Sequence, residues 1–136
     1  MIHLTALLRR KPGTTHEEFL DHWFHGHGPL IAGLASAPVI QRYEQHPAVW
    51  PEPGSGLPEP KYDGVTLQWF DSIGDFIAFA TAPDRHLVSA DEIKFLDTAN
   101  IEWILTEEPT VVFDRTECGR GPSASGGIRA ERPPPV

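Results

Sequence analysis

The chain has 136 residues, 40% of them hydrophobic and 22% charged, which suits one domain of ordinary size with a real core. Nineteen acidic residues against eleven basic ones leave a formal net charge of −8 with no basic patch to offset it, so nucleic acid and anionic membrane surfaces are not expected partners. The apolar runs are too short to span a bilayer, apolar residues precede basic ones at the N-terminus in the reverse of signal-peptide order, and Cys118 is alone; no internal disulfide is expected, and a reducing cytoplasm is the simplest location.

Residues 2–9 alternate Ile2, Leu4, Ala6 and Leu8 with His3, Thr5, Leu7 and Arg9, the period of a strand, and Lys11-Pro12-Gly13 is a turn. Thr15-His16-Glu17-Glu18 has capping-box spacing and predicts a helix over about 16–26. On an ideal helix Phe19, Leu20, Trp23 and Phe24 form one apolar stripe, with His27 near its middle. His22 and His25 project from the other side, as exposed i,i+4 partners of Glu18 and Asp21, so the three histidines are not expected to converge. Gly28-Pro29 is expected to break or bend this helix, with residues 30–35 adding a further turn. Residues 39–46 read as the second strand. Residues 47–60 hold five prolines and Trp50, a loop long enough to suggest a lid.

Alternation returns at 64–70, with Val65, Leu67 and Trp69 on one side and Thr66, Gln68 and Phe70 on the other. Ser72 caps a helix that carries Phe76, Ile77 and Phe79 and ends before Pro83. A further helical segment spans 84–97, with Leu87, Ile93 and Leu96 as its apolar positions. Residues 101–105 form a fourth strand, which 111–113 extend or pair with separately. Residues 1–113 are therefore read as the domain and 114–136, rich in Gly, Pro, Ser and Arg, as a tail. Cys118 lies in that tail without a packed frame, which argues against a cysteine nucleophile.

The order β-α-β-β-α-β is the α+β, ferredoxin-like arrangement: four antiparallel strands with helices on one face. The helix-free face, read as carrying His3, Leu7, Phe70 and Ile104, is too apolar to remain wet and is expected to pair with a second copy.

His27 is the leading candidate for chemistry, because an inward imidazole beside a loop can act as acid or base near neutral pH. The competing reading is a histidine that pins the helix end. Tyr43 and His46, three apart on a strand, point to opposite faces, so only one can reach a given cavity. Trp23, Trp69 and Trp103 read first as core; Trp50 in the loop, with Trp23 and Trp69, are the aromatic candidates for contacting a bound molecule. No cysteine or carboxylate spacing completes a metal set around the histidines, and no Gly-x-Gly-x-x-Gly, phosphate-loop or Gly-x-Ser-x-Gly pattern occurs, so neither metal nor cofactor is expected.

Leu4-Thr5-Ala6-Leu7-Leu8-Arg9-Arg10-Lys11-Pro12-Gly13, then Glu18-Phe19-Leu20-Asp21-His22-Trp23 and His27-Gly28-Pro29-Leu30, resemble the EthD family of dimeric α/β-barrel proteins. Arg42-Tyr43-x-Gln45-x-Pro47, Tyr62-Asp63-Gly64-Val65 and Trp69-Phe70-Asp71 are similar to its second and third strands, and the resemblance covers residues 2–113. It implies a ferredoxin-like protomer that forms a homodimeric barrel. The wider superfamily includes cofactor-independent monooxygenases, polyketide cyclases, muconolactone isomerases and dehydratases; EthD itself is associated with ether degradation beside a cytochrome P450. By position His27 matches a histidine used as acid or base in related isomerases and dehydratases, and His46 falls close to a second histidine of some relatives. The expectation is a cofactor-independent enzyme acting on an aromatic or polyketide-like carbonyl compound. In it His27 transfers a proton, Tyr43 or His46 polarises the oxygen, and Trp50 with its loop excludes water. A cofactor-free monooxygenase and a non-catalytic accessory protein of an oxidative catabolic pathway are the alternatives.

Overall fold

The computed structural model describes residues 1–116; Cys118 and most of the tail lie outside the described residues. Strands β1 (Ile2–Leu8), β2 (Ile40–Pro47), β3 (Gly64–Phe70) and β4 (Glu102–Thr106) form one antiparallel sheet in the order β2-β3-β1-β4. Helix α1 (His16–His22), a π-helical turn (Trp23–His27) and α2 (Gly28–Ala32) join β1 to β2, and α3 (Ile73–Ala80) with α4 (Arg85–Phe95) joins β3 to β4. This is the expected βαββαβ, ferredoxin-like α+β fold. Residues 111–113 form no strand and are exposed.

Sequence chemistry sets the helix starts. The Thr15 hydroxyl accepts from Glu18 N–H while the Glu18 carboxylate accepts from Thr15 N–H, closing the capping box. Ser72 caps α3 in the same way, accepting from Asp75 N–H. The helical path does not stop at Gly28-Pro29. A proline near a helix start has no N–H to orphan, so Pro29 sits in the first turn of α2 and the chain runs on to Ala32.

Register decides the two faces of the sheet. Ile2 pairs with Phe70, Leu4 with Gln68, Ala6 with Thr66 and Leu8 with Gly64, and these residues face the helices. His3, Thr5 and Leu7 lie opposite Trp69, Leu67 and Val65 on the helix-free face, which Ile104 shares. Phe70 therefore does not belong to the helix-free face: it is fully buried under α3, against Phe76 and Phe79.

Two apolar clusters fill the space between sheet and helices. Leu8, Phe19, Trp23, Phe95 and Leu96 form one; Ile31, Leu34, Phe70, Phe79 and Val88 form the other. Side chains of this size contribute about 1.5–3 kcal/mol each when fully buried. Trp23 packs closely on β3 because Gly64 has no side chain; a Cβ there would meet the indole at 2.5 Å. Helix α4 is turned otherwise than expected. Leu87 and Ile93 are exposed, and Val88, Asp91 and Phe95, spaced i, i+3, i+7, form its inner face. Among the described residues no helix is long and apolar enough to cross a membrane.

Candidate functional site

A cavity of about 380 Å³ separates the two core clusters. Its floor is the helix-facing side of the sheet, with Leu4, Ala6, Tyr43, Thr66 and Gln68; its walls are His27 and Ile31, then Phe76 and Phe79 of α3, then Arg85, Val88 and Glu92 of α4. Ile101 and Trp103 close the β4 side. The volume is in the range of small-ligand sites, and the mostly apolar lining with a few convergent polar groups is the usual composition of one.

His27 reaches this cavity from the π-helical turn. Gly28 N–H bonds back five residues to the Trp23 carbonyl, which also accepts from the Gln45 side chain at 2.8 Å. The extra residue in the turn brings His22 and His27, five apart, onto the same carboxylate. His22 Nε2 donates to Asp91 Oδ1 at 2.9 Å, and His27 Nδ1 donates to Asp91 Oδ2 at 2.8 Å. The expected divergence of these two histidines and the pairing of His22 with Glu18 therefore do not occur, because a π-turn does not follow the 100° step of an α-helix. His25 remains exposed. Phe95 packs against both imidazoles, with ring centroids 4.5 Å from His22 and 5.1 Å from His27.

The electrostatics fix the tautomer. Partial burial alone would raise the Asp91 carboxyl, but hydrogen bonds from His27 and His22 outweigh it and hold Asp91 below its ordinary value, so it is an ionised acceptor. His27 is 6% exposed; burial pushes its pKa below the ordinary 6.5, against the upward pull of Asp91 and Glu92. At neutral pH the imidazole is uncharged, with its proton on Nδ1 toward Asp91 and the Nε2 lone pair free. Tyr43 is pushed up by burial, only partly offset by hydrogen bonding to Gln45 and Thr66, so its hydroxyl keeps its proton.

Of the residues singled out in the sequence, His27 and Tyr43 line this cavity together. His46 lies on the opposite face of β2, half exposed, bonded to Glu44. Trp23 is in the core and Trp69 on the helix-free face, under Arg42 and beside His3. Trp50 stacks on His16 at a centroid distance of 3.8 Å, away from the cavity lining. Beneath it His16 Nδ1 and Arg10 both donate to the fully buried Asp63, at 2.8 and 3.0 Å, tying the start of α1 to β1 and the approach to β3. Sequence reasoning missed Asp91, Gln68, Glu92 and Arg85. The only signal for Asp91 was its i+3 spacing from Val88 and i−4 spacing from Phe95.

A family model described as the EthD domain matches residues 11–99. No curated protein matches the chain. Among solved structures, an EthD family protein from Bacillus halodurans C-125 is 21% identical, with a TM-score of 0.61 over 80% of this chain and 99% of that one. A dimeric ferredoxin-like protein from Thermobifida fusca YX is 20% identical, with a TM-score of 0.57 over 79% of this chain and 90% of that one. An EthD-like protein from Ralstonia eutropha JMP134 is 16% identical, with a TM-score of 0.60 over 85% of this chain and 96% of that one. Identities this low speak for the fold, whereas the family model spans most of the chain, from the β1–α1 turn through the helix bearing His27 to the end of α4: the protein belongs to the EthD family.

Proposed function

We propose that the protein is a homodimer that binds an apolar or aromatic carbonyl compound in the cavity and moves a proton next to the carbonyl without a cofactor. The observation that carries this reading is the His27–Asp91 pair. An uncharged imidazole, held by a carboxylate on Nδ1, presents its Nε2 lone pair at an apolar cavity, the arrangement of a general base. Nε2 takes a proton from the carbon beside the carbonyl, and the C–H electron pair becomes the new C=C bond of an enolate. The charge arrives on the carbonyl oxygen, where the protonated Tyr43 hydroxyl donates to it. Returning the proton to another carbon gives isomerisation. Attack of the enolate on a second carbonyl gives cyclisation, and loss of a neighbouring hydroxyl, protonated as it leaves, gives dehydration.

Pairing is supported by the helix-free face, where Leu7, Val65, Leu67, Trp69 and Ile104 form an apolar strip bordered by Arg42, Glu44 and His46 of β2, and by a structurally similar protein described as dimeric. The isolated Cys118 supports a reducing cytoplasm.

The test is solvent-deuterium uptake at the α-carbon of a panel of aryl ketones and 1,3-diketones, followed by NMR. Wild type accelerates exchange of those ketones that bind, and His27→Gln does not. Binding without faster exchange in any ketone would leave a carrier or accessory role in place of proton transfer.

A further inference from the structure

Gln68 stands on the helix-facing side of β3, opposite Leu4 on β1 and Tyr43 on β2. It is 8% exposed and lines the cavity, yet its side-chain oxygen Oε1 is buried without a hydrogen-bond partner. Of its polar neighbours on the cavity wall, His27 is engaged with Asp91 and Arg85 with Glu92, while Tyr43 accepts from Gln45 and does not give its own proton to Gln68. The other such orphan among the described residues, Trp23 Nε1, belongs to the core and not to the cavity. Buried carbonyl oxygens nearly always find a donor, because water lost on burial has to be replaced. A leucine or methionine of similar reach would line the same apolar floor without that cost. An acceptor left open beside a cavity is complementary to a guest that brings a donor. Two other groups of the polar lining, the His27 Nε2 lone pair and the Glu92 carboxylate, are also acceptors, beside the donors Tyr43 and Arg85.

We propose that Gln68 recognises a hydroxyl group on the bound molecule, so that the ligand is a phenolic or enolic carbonyl compound rather than a bare aryl ketone or its ether. This rests on the cavity being the binding site, and deepens that reading by assigning a specificity-determining residue and a substrate class. Gln68 donates or removes no proton in the reaction; it selects and orients.

The experiment compares 2-, 3- and 4-hydroxyacetophenone, their methyl ethers and acetophenone as probes of the full chain, with affinities measured by NMR titration. At least one hydroxy isomer is expected to bind about 10-fold tighter than its methyl ether, the factor expected of one hydrogen bond to a buried neutral acceptor. Gln68→Leu is expected to erase that preference while binding the ether as well as wild type or better, and Gln68→Met provides the same comparison if the leucine variant fails to fold. In wild type, the preferred hydroxy isomer is expected to show nuclear Overhauser contacts to the Gln68 amide protons, a readout that needs no substitution. Their absence from that bound isomer, probes that bind with no hydroxyl preference, or a preference that survives in the folded variants would overturn the role of Gln68 and leave the cavity reading intact. Failure of every probe to bind would overturn both.

Discussion

At His27 two opposing influences meet, and burial wins over the pull of Asp91. The consequence for pH follows from the sign of that shift. In the unfolded chain His27 titrates at its ordinary 6.5, and in the folded protein below it, so just under pH 6.5 the unfolded chain binds more protons. Stability is therefore full above pH 6.5 and declines as pH falls through the window between 6.5 and the lower folded value. His27→Gln is expected to flatten that slope in thermal melts taken between pH 7 and 5; an unchanged slope would place the titrating group elsewhere. His22, Asp91 and Glu92 all face this imidazole, so the same comparison in Asp91→Asn is expected to steepen the effect, because the carboxylate that pulls His27 upward is gone. In catalysis His27→Gln is expected to lower turnover by about 10²–10⁴-fold with ligand affinity largely kept. Affinity and melting temperature falling together with turnover would instead mark a histidine that only pins the helix.

Among the elements, the π-helical turn and the long loop before β3 carry the consequences. Five residues span the turn from Trp23 to His27, and the additional residue is what allows His22 and His27 to share Asp91. Deleting the exposed His25 returns this stretch to α-helical spacing and turns one side of the helix by about 100° relative to the other. The expected readout is loss of one of the two imidazole hydrogen bonds to Asp91 by NMR, and both bonds persisting in the deletion variant would refute this origin. The loop makes a separate forecast. Trp50 covers His16 above the buried Asp63, so Trp50→Ala is expected to cost about 1 kcal/mol or more from the lost ring contact and to leave affinity for cavity ligands unchanged. A lid over the cavity would behave in the opposite way, losing affinity and keeping its melting temperature.

For the whole molecule the helix-free face is the governing feature. Leu67 is at its centre on β3, between Glu44 of β2 and Thr5 of β1; an arginine there can pair with Glu44 of its own sheet but puts a charge and added bulk in the middle of the apolar contact. Leu67→Arg is expected to convert the proposed dimer to a monomer in sedimentation while preserving the far-ultraviolet spectrum. Wild type sedimenting as a monomer at micromolar concentration would remove the dimer itself. The apolar cavity is on the other side of the sheet, so this variant is also expected to keep its ligand affinity.

Local chemistry was enough to read the secondary structure: the capping box at Thr15, the Ser72 cap, the period-2 alternation of β1 and β3, and the order that makes the fold ferredoxin-like. It was enough, too, to place His27 on the inner face, since Phe19, Trp23 and His27 share one stripe. Which side of β3 met the helices was not readable, because both Leu67 and Phe70 are apolar and only pairing with Ile2 assigns Phe70 to the core. The turn of α4 was equally hidden: Leu87 and Ile93 look inward by composition, but Val88 and Phe95 are the residues that complete the two clusters, and Asp91 is buried between them. Asp91 is 64 residues from His27, and Gln68 is one polar residue in an alternating strand. Periodicity reports which residues of one element share a face. Only the packing of elements against one another decides which carboxylate meets which imidazole, and which amide is left without a partner.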